Sequence, residues 1–261
     1  MKILFIGDII GNPGRKALKE RFSAILGRHD PDVIIANGEN AAGGFGITED
    51  IAAELFKTGV NVITSGNHIW DKKEAIEFIE RTPMLLRPAN YPDANPGKGY
   101  IVLDSRCGAK LGVLNLSGRV FMDEADCPFR TADRFVEEIK KETNIILVDF
   151  HAEATSEKYA LAWYLDGRVS ALVGTHTHVQ TSDERILPGG TAYITDAGMT
   201  GPTDSVIGVE KELVLKRFLT RMPVRFEVAS RGVEVQGVSI TIDASNGRAT
   251  SIERIKEKID R

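Results

Sequence analysis

The sequence predicts an α/β fold: a helix-covered β-sheet with a second sheet packed on it. Three observations carry this reading. Short apolar runs such as KILFIG, VIIAN and IILVDF alternate with amphipathic stretches through the first two-thirds of the chain. These runs are apolar throughout, the pattern of strands buried on both faces and covered by helices. From Val224 to Ile255 the pattern instead alternates, as in antiparallel strands, and implies a second, more antiparallel sheet. No repeat, low-complexity tract or composition shift marks a boundary, so residues 1–261 read as a single domain.

Element by element, Lys2–Gly7 is a buried strand closed by Gly7 and Asp8. Arg15–Arg28 is an amphipathic helix with Leu18, Phe22, Ile25 and Leu26 on one stripe. Val33–Asn37 is the second strand. Thr48 caps a helix running to Lys57, and Gly59 lies just past its end. Val60–Thr64 is the third strand, and Asp71 with Glu74 forms a capping box for a helix through Glu80. The Gly- and Pro-rich segment Arg87–Gly99 is a long loop. Tyr100–Asp104 and Lys110–Leu116 pair as strands, and Thr131–Glu142 is helical. Ile145–Phe150 and Val169–Gly174 are buried strands flanking a helix over Glu157–Leu165. Thr191–Thr195 is a strand followed by a Gly/Thr/Pro loop, Glu210–Thr220 is a helix, and the tail turns at Asn246–Gly247.

Composition narrows the function. The net charge is −4, with 33 basic against 37 acidic residues. A protein that coats nucleic acid carries a basic surplus, so that class is disfavoured, although RNA-derived small substrates are not. Two cysteines, Cys107 and Cys127, exclude a disulfide scaffold and fit a reducing cytoplasm. The apolar start breaks at Asp8, too early for a signal peptide, and no segment has the length of a membrane span. A homo-oligomer is an open option.

Chemistry-bearing residues gather just after the strands. The first strand runs into Gly7-Asp8 and the second into Asn37-Gly38-Glu39-Asn40. The third runs into Gly66-Asn67-His68. Two later strands run into His151 and into His176-Thr177-His178. Four of the five histidines lie at such ends; His29 sits in a polar turn and reads as solvent-facing. Ligand sites collect at the carboxyl ends of strands in α/β sheets. Each motif alone has a plain structural reading as a turn, a cap or a hydrogen-bonded buried histidine. Together, oxygen and imidazole donors without cysteine suit manganese, iron or zinc rather than calcium, magnesium or structural zinc. In extended backbone, His176 and His178 face the same way and can reach one centre.

In this order, GDII, NGEN, GNH, the lone His151 and GTHTH resemble the motifs of the calcineurin-like metallophosphoesterase superfamily. Ile10 stands where the first motif usually has His, and Glu39 where the bridging Asp usually is. An extra Thr enters the last motif. With GDIIGNPGR and ITDAGMTGP, these variants are similar to the bacterial YmdB-type subfamily, essentially end to end. The resemblance implies two mixed β-sheets packed face to face with helices on the outer faces. It implies two metal ions per chain, iron or manganese first and zinc as a third choice. Asp8, His178 and Asn40 would hold one metal, Asn67, His151 and His176 the other, and Glu39 would bridge them. His68 would bind no metal and would protonate the leaving oxygen while a hydroxide shared by the metals attacks phosphorus. The implied substrate is a phosphate ester, foremost a 2′,3′-cyclic nucleotide.

Two rival readings remain at this level. A regulatory or scaffold protein could retain the metals with weak catalysis. Less favoured is a nucleotide-cofactor-binding α/β enzyme, suggested by Gly7, Gly11 and Gly14, although Ile9 occupies the place of a fingerprint glycine. Loops Arg87–Gly99, Ser117–Arg130 and Asp196–Gly208 are expected to wall the pocket, with Arg15, Arg87 and Arg119 as candidates to meet phosphate or base.

Overall fold

Two sheets lie face to face in the computed structural model, which describes residues 1–259. In chain order the first half gives β1 (Lys2–Ile6), β2 (Asp8–Ile9), α1 (Gly11–His29), β3 (Val33–Asn37), α2 (Glu49–Thr58), β4 (Val62–Thr64), α3 (Glu74–Phe78), β5 (Tyr100–Asp104), β6 (Lys110–Ser117) and α4 (Pro128–Lys140). The second half gives β7 (Ile146–His151), α5 (Thr155–Leu165), β8 (Ala171–Thr175), β9 (Arg185–Ile186), β10 (Ala192–Ile194), β11 (Met199–Pro202), α6 (Lys211–Thr220), β12 (Val233–Ile242) and β13 (Ala249–Lys258).

Both sheets are mixed. In the first, β1 and β4 flank β3 in parallel, and β12 runs antiparallel to β1. β13 borders β12 along one edge, while β11 pairs with its start and carries β2. In the second, β6, β7, β8 and β10 are parallel neighbours, closed by antiparallel β5 and β9 at the edges.

The continuous apolar strands are explained by a core on each side. Successive side chains of β1 and β3 point to opposite faces. Ile3, Phe5, Val33 and Ile35 meet Leu111, Val113, Leu147 and Val173 between the sheets. Leu4, Ile6 and Ile34 meet Leu18, Phe22 and Ile25 of α1 and Leu55 of α2. On the far side, Leu114, Ile146, Val148 and Tyr193 meet Val136 and Ile139 of α4 and Leu161 and Leu165 of α5. The result is a helix–sheet–sheet–helix sandwich, as the resemblance implies. Full burial of one such aliphatic or aromatic side chain contributes about 1.5–3 kcal/mol.

Four expectations are corrected. The tail does not found the second sheet: β12 and β13 complete the first, and the second is built from the middle of the chain, β5 to β10. Residues 224–232 form no named strand. α1 begins at Gly11, four residues early, because Pro13 falls in the first turn, where a missing N–H costs nothing. The Asp71–Glu74 capping box does not form: α3 starts from Lys73 without a side-chain cap. Glu74 instead accepts the Glu49 N–H, and Asp71 is committed to His68. The Thr48 cap of α2 forms as expected, its hydroxyl accepting the Ile51 N–H, with Gly59 at φ 117° ending the helix.

Candidate metal centre and cleft

The carboxyl ends of β3, β4, β7 and β8, with β2 beside them, deliver their polar residues to one point where the two sheets meet. Asp8, Glu39, Asn40 and His151 are buried. Asp8, Glu39 and His178 bring ligand-type atoms within 4.8 Å of one another, and so do Glu39, His151 and His176, so Glu39 belongs to both groups. Around His151 Nε2, the Glu39 Oε1, Asn67 Oδ1 and His176 Nδ1 atoms all stand at 3.0 Å. On the other side, His178 Nε2 lies 3.8 Å from Asp8 Oδ1 and 3.1 Å from Asn40 Nδ2. All seven predicted ligand residues thus converge, six of them on the two sides of Glu39.

The donor set fits divalent cations. Three histidines are oriented by partners at their outward nitrogens. Thr175 gives its hydroxyl proton to Asp149 Oδ1 at 2.7 Å, so it accepts from His151 Nδ1 at 3.0 Å and frees His151 Nε2. Glu153 Oε2 sits 3.2 Å from His176 Nε2, which frees Nδ1. The Ile207 carbonyl accepts from His178 Nδ1 at 2.9 Å, which frees Nε2. Each freed lone pair points into the cluster, the arrangement that outer partners give to metal-binding histidines. Asp8 Oδ1 is buried with no hydrogen-bond partner, and burial pushes the Asp8 carboxyl up to about 7 despite His178 and His151 nearby. Glu39 is also buried, yet His151, with the His68 N–H, holds it well below the usual carboxylate range. Burial works against a charged His151, but Glu39 outweighs it and raises His151 to about 9. A buried carboxylate with an unpartnered oxygen and a cluster of inward lone pairs are both relieved by cations. Asn40 turns Nδ2 inward, so ligation through its oxygen needs the amide rotated about its terminal bond.

One part of the sequence reading fails. His176 and His178 are not alternate residues of a strand. β8 ends at Thr175, and the two histidines adopt φ 99° and 62°. A strand would send both rings to one side; this turn sends His176 to His151 and His178 to Asp8. Left-handed backbone at non-glycine residues costs on the order of 1–3 kcal/mol each. It is held by Asp196, whose Oδ2 accepts both the Thr177 N–H at 3.0 Å and hydroxyl at 2.8 Å. Buried Lys158 pairs with that carboxylate at 2.9 Å and donates to the Thr175 carbonyl. Lys158 does not stand out in the sequence; Asp196 lies in the ITDAGMTGP segment, but nothing there points to this role.

His68 stands apart from the cluster on the cleft side, with its Nδ1 2.9 Å from Asp71 Oδ2. Asp71 accepts the Nδ1–H hydrogen bond, which leaves the Nε2 side of the ring open. Asp71, three residues on, is thus not a helix cap but the acidic partner of His68. The cleft has a volume of ≈ 360 Å³ and one polar wall made by Glu39, Asn40, His68, His176 and His178. Its other walls are Gly43–Phe45, Ile207–Val209 and Phe226–Val228. Of the three loops expected there, only Asp196–Gly208 contributes. The arginine candidates lie elsewhere: Arg87 donates to the Pro88, Asn95 and Pro96 carbonyls, and Arg15 pairs with Glu54. Arg119 is exposed and does not line the cleft. Gly7 and Gly14 serve packing, since a Cβ at either would fall 2.1–2.2 Å from the Gly198 or Thr200 carbonyl oxygen.

A family model described as YmdB-like protein matches residues 4–255. The chain belongs to the YmdB-like family. It is 53% identical over 255 residues to a protein of Bacillus subtilis (strain 168) named 2′,3′-cyclic-nucleotide 2′-phosphodiesterase, covering 98% of this chain and 96% of that one. A crystal structure of a novel phosphatase from Mycoplasma pneumoniae superposes with a TM-score of 0.93 at 35% identity, covering 99% of this chain and 93% of that one. A hypothetical protein from Thermus thermophilus gives 0.92 at 43% identity, with 99% of both chains covered. The close match to a phosphatase, together with two mixed sheets between helices, fixes the fold as the metallophosphoesterase sandwich. No helix among the described residues is long and apolar enough to cross a membrane.

Proposed function

We propose that this protein is a metal-dependent phosphodiesterase whose substrate is a 2′,3′-cyclic nucleotide and whose product is the 3′-monophosphate. The observation that carries this reading is the division of the site. Asp8, His151, His176 and His178 gather around Glu39 with Asn40 and Asn67 beside them, while His68, tethered to Asp71, stands outside them and lines the cleft. The name of the Bacillus subtilis relative, 53% identical over nearly the whole chain, supports the substrate and the scissile bond.

In this reading Asp8, Asn40 and His178 would hold one cation, Asn67, His151 and His176 would hold the other, and Glu39 would serve both. Mixed oxygen and imidazole donors favour iron or manganese, with zinc as the third choice. When bound, the two cations supply a lowered pKa for water and a counter-charge for the phosphate oxygens. The chain's own groups do the rest. Thr175, Glu153 and the Ile207 carbonyl keep the three imidazoles aimed. His68 Nε2 gives its proton to the departing O2′, and Asp71 holds the ring through its Nδ1. The described residues 1–259 act as one domain, because the site draws on both sheets. Free Cys107 and Cys127 agree with the cytoplasm as the working compartment.

The test is a substrate panel on protein reconstituted with manganese or iron, with metal content measured in parallel. Two metals per chain and conversion of adenosine 2′,3′-cyclic phosphate to the 3′-monophosphate are expected, with activity lost on chelation. Chelator-resistant turnover, or an inert metal-loaded protein, contradicts the reading.

A further inference from the structure

We infer that the apolar wall of the cleft, centred on Phe45, is the binding surface for the nucleobase of the substrate. This rests on the phosphodiesterase reading above. The Phe45 ring lies 5.1 Å from the His68 ring, edge to face at 73°. It is 39% exposed, a large aromatic side chain left open beside a cluster of buried polar groups. Facing residues of the same cleft are Ile207, Phe226 and Val228. Phe226 is itself covered by the Arg217 guanidinium, 5.6 Å above its ring. Gly44, at φ 97°, lets the two walls approach, since a Cβ there would lie 2.9 Å from Val228 Cγ2.

The connectivity of the substrate decides what that surface meets. In a 2′,3′-cyclic nucleotide the oxygen released is O2′, bonded to C2′. The next carbon, C1′, carries the base. The base therefore cannot lie far from whatever group protonates O2′. With His68 Nε2 at O2′, the base falls beside the His68 ring, where Phe45 stands. The wall offers apolar and aromatic surface, and the ionisable groups lining the cleft outside the histidine cluster, Glu153 and Glu227, are acidic, so the base is held by stacking and shape. Every base presents a π-face, so stacking tolerates all four bases. The cleft volume of ≈ 360 Å³ has room for one mononucleotide.

The experiment compares metal-loaded wild type, Phe45→Ala and Phe45→Trp on two substrates. One is adenosine 2′,3′-cyclic phosphate; the other is methyl riboside 2′,3′-cyclic phosphate, which has no base. Wild type is expected to prefer the nucleotide in kcat/KM. Phe45→Ala should lower that preference about tenfold, and Phe45→Trp should keep it. Calorimetry supplies a readout without turnover: Phe45→Ala should lose about tenfold more affinity for adenosine 3′-monophosphate than for inorganic phosphate. Equal losses on both substrates would mean that Phe45 only supports His68, and would overturn the base subsite while sparing the phosphodiesterase reading. No turnover of either substrate by wild type would overturn both.

Discussion

Gly66 illustrates how tightly single residues are constrained at the centre. A Cβ at this position would lie 2.1 Å from His151 Cδ2 and 2.4 Å from Glu39 Oε2. Its backbone is not in the left-handed region, so the need for glycine is purely one of space. Gly66→Ala should push Glu39 and His151 apart and weaken metal affinity by about 10–100-fold, the usual cost of disturbing a ligand's support. Metal content after dialysis against a graded chelator measures this; wild-type retention would contradict it. At this scale the sequence is informative where a residue type is chemically rare. Histidine, asparagine and acid after apolar strands stand out, and all seven proposed ligands converge. It is silent on Glu153 and Lys158 and misses the roles of Asp71 and Asp196, because such a residue acquires its role only through its partner in the folded chain.

At the scale of elements, the turn after β8 is the costly piece. Two histidines in left-handed backbone are held by the Asp196 carboxylate, which is neutralised by Lys158 in a fully buried pair. Removing one member leaves the other charged and unpaired in the interior. Lys158→Met should therefore lower stability by about 3–5 kcal/mol in denaturant unfolding of the metal-free protein. A loss below about 1 kcal/mol would show that the pair is not what holds the turn. A second tie is Asp183, which accepts from the Thr181 and Thr195 hydroxyls, the Thr195 N–H and the Tyr159 hydroxyl. Burial raises its carboxyl, but these hydrogen bonds outweigh burial and hold it below the usual value. Its folded pKa is depressed, so its contribution is present above the unfolded value, about 4, and is lost as pH falls through the folded one. Asp183→Asn should flatten the acid limb of the stability profile between about pH 5 and 3, measured by thermal unfolding. An unchanged acid limb would rule this out. Long strands are legible because their apolar runs are explained only by burial on both faces. β2, β9 and β11 are not, because two to four residues leave no period to detect.

At the scale of the molecule, the fold is an instrument for bringing strand ends together. β3 and β4 arrive from one sheet and β7 and β8 from the other, so the sandwich must close before the centre exists. The sequence pattern predicts two sheets but assigns the tail to the wrong one. Alternation marks an antiparallel strand without saying which edge it joins, and β12 pairs with β1 across almost the whole chain. Because the site spans both sheets, cation binding should stabilise the whole fold. At a hundredfold excess over Kd the linkage is about 2.7 kcal/mol, so chelation should lower Tm by roughly 5–10 °C for a domain of this size. An unchanged Tm would place the cations outside the folded core. The net charge of −4 includes Asp8 and Glu39; two divalent cations there would turn an acidic pocket into one that attracts phosphate.

The most direct measurement separates holding the cations from moving the proton. His68→Ala is assayed for metal content and for turnover of adenosine 2′,3′-cyclic phosphate on the same metal-loaded sample. Two metals per chain with turnover reduced by about 10²–10⁴ is the predicted result. Loss of a metal, or wild-type turnover, would contradict the placement of His68 outside the ligand set as the proton donor.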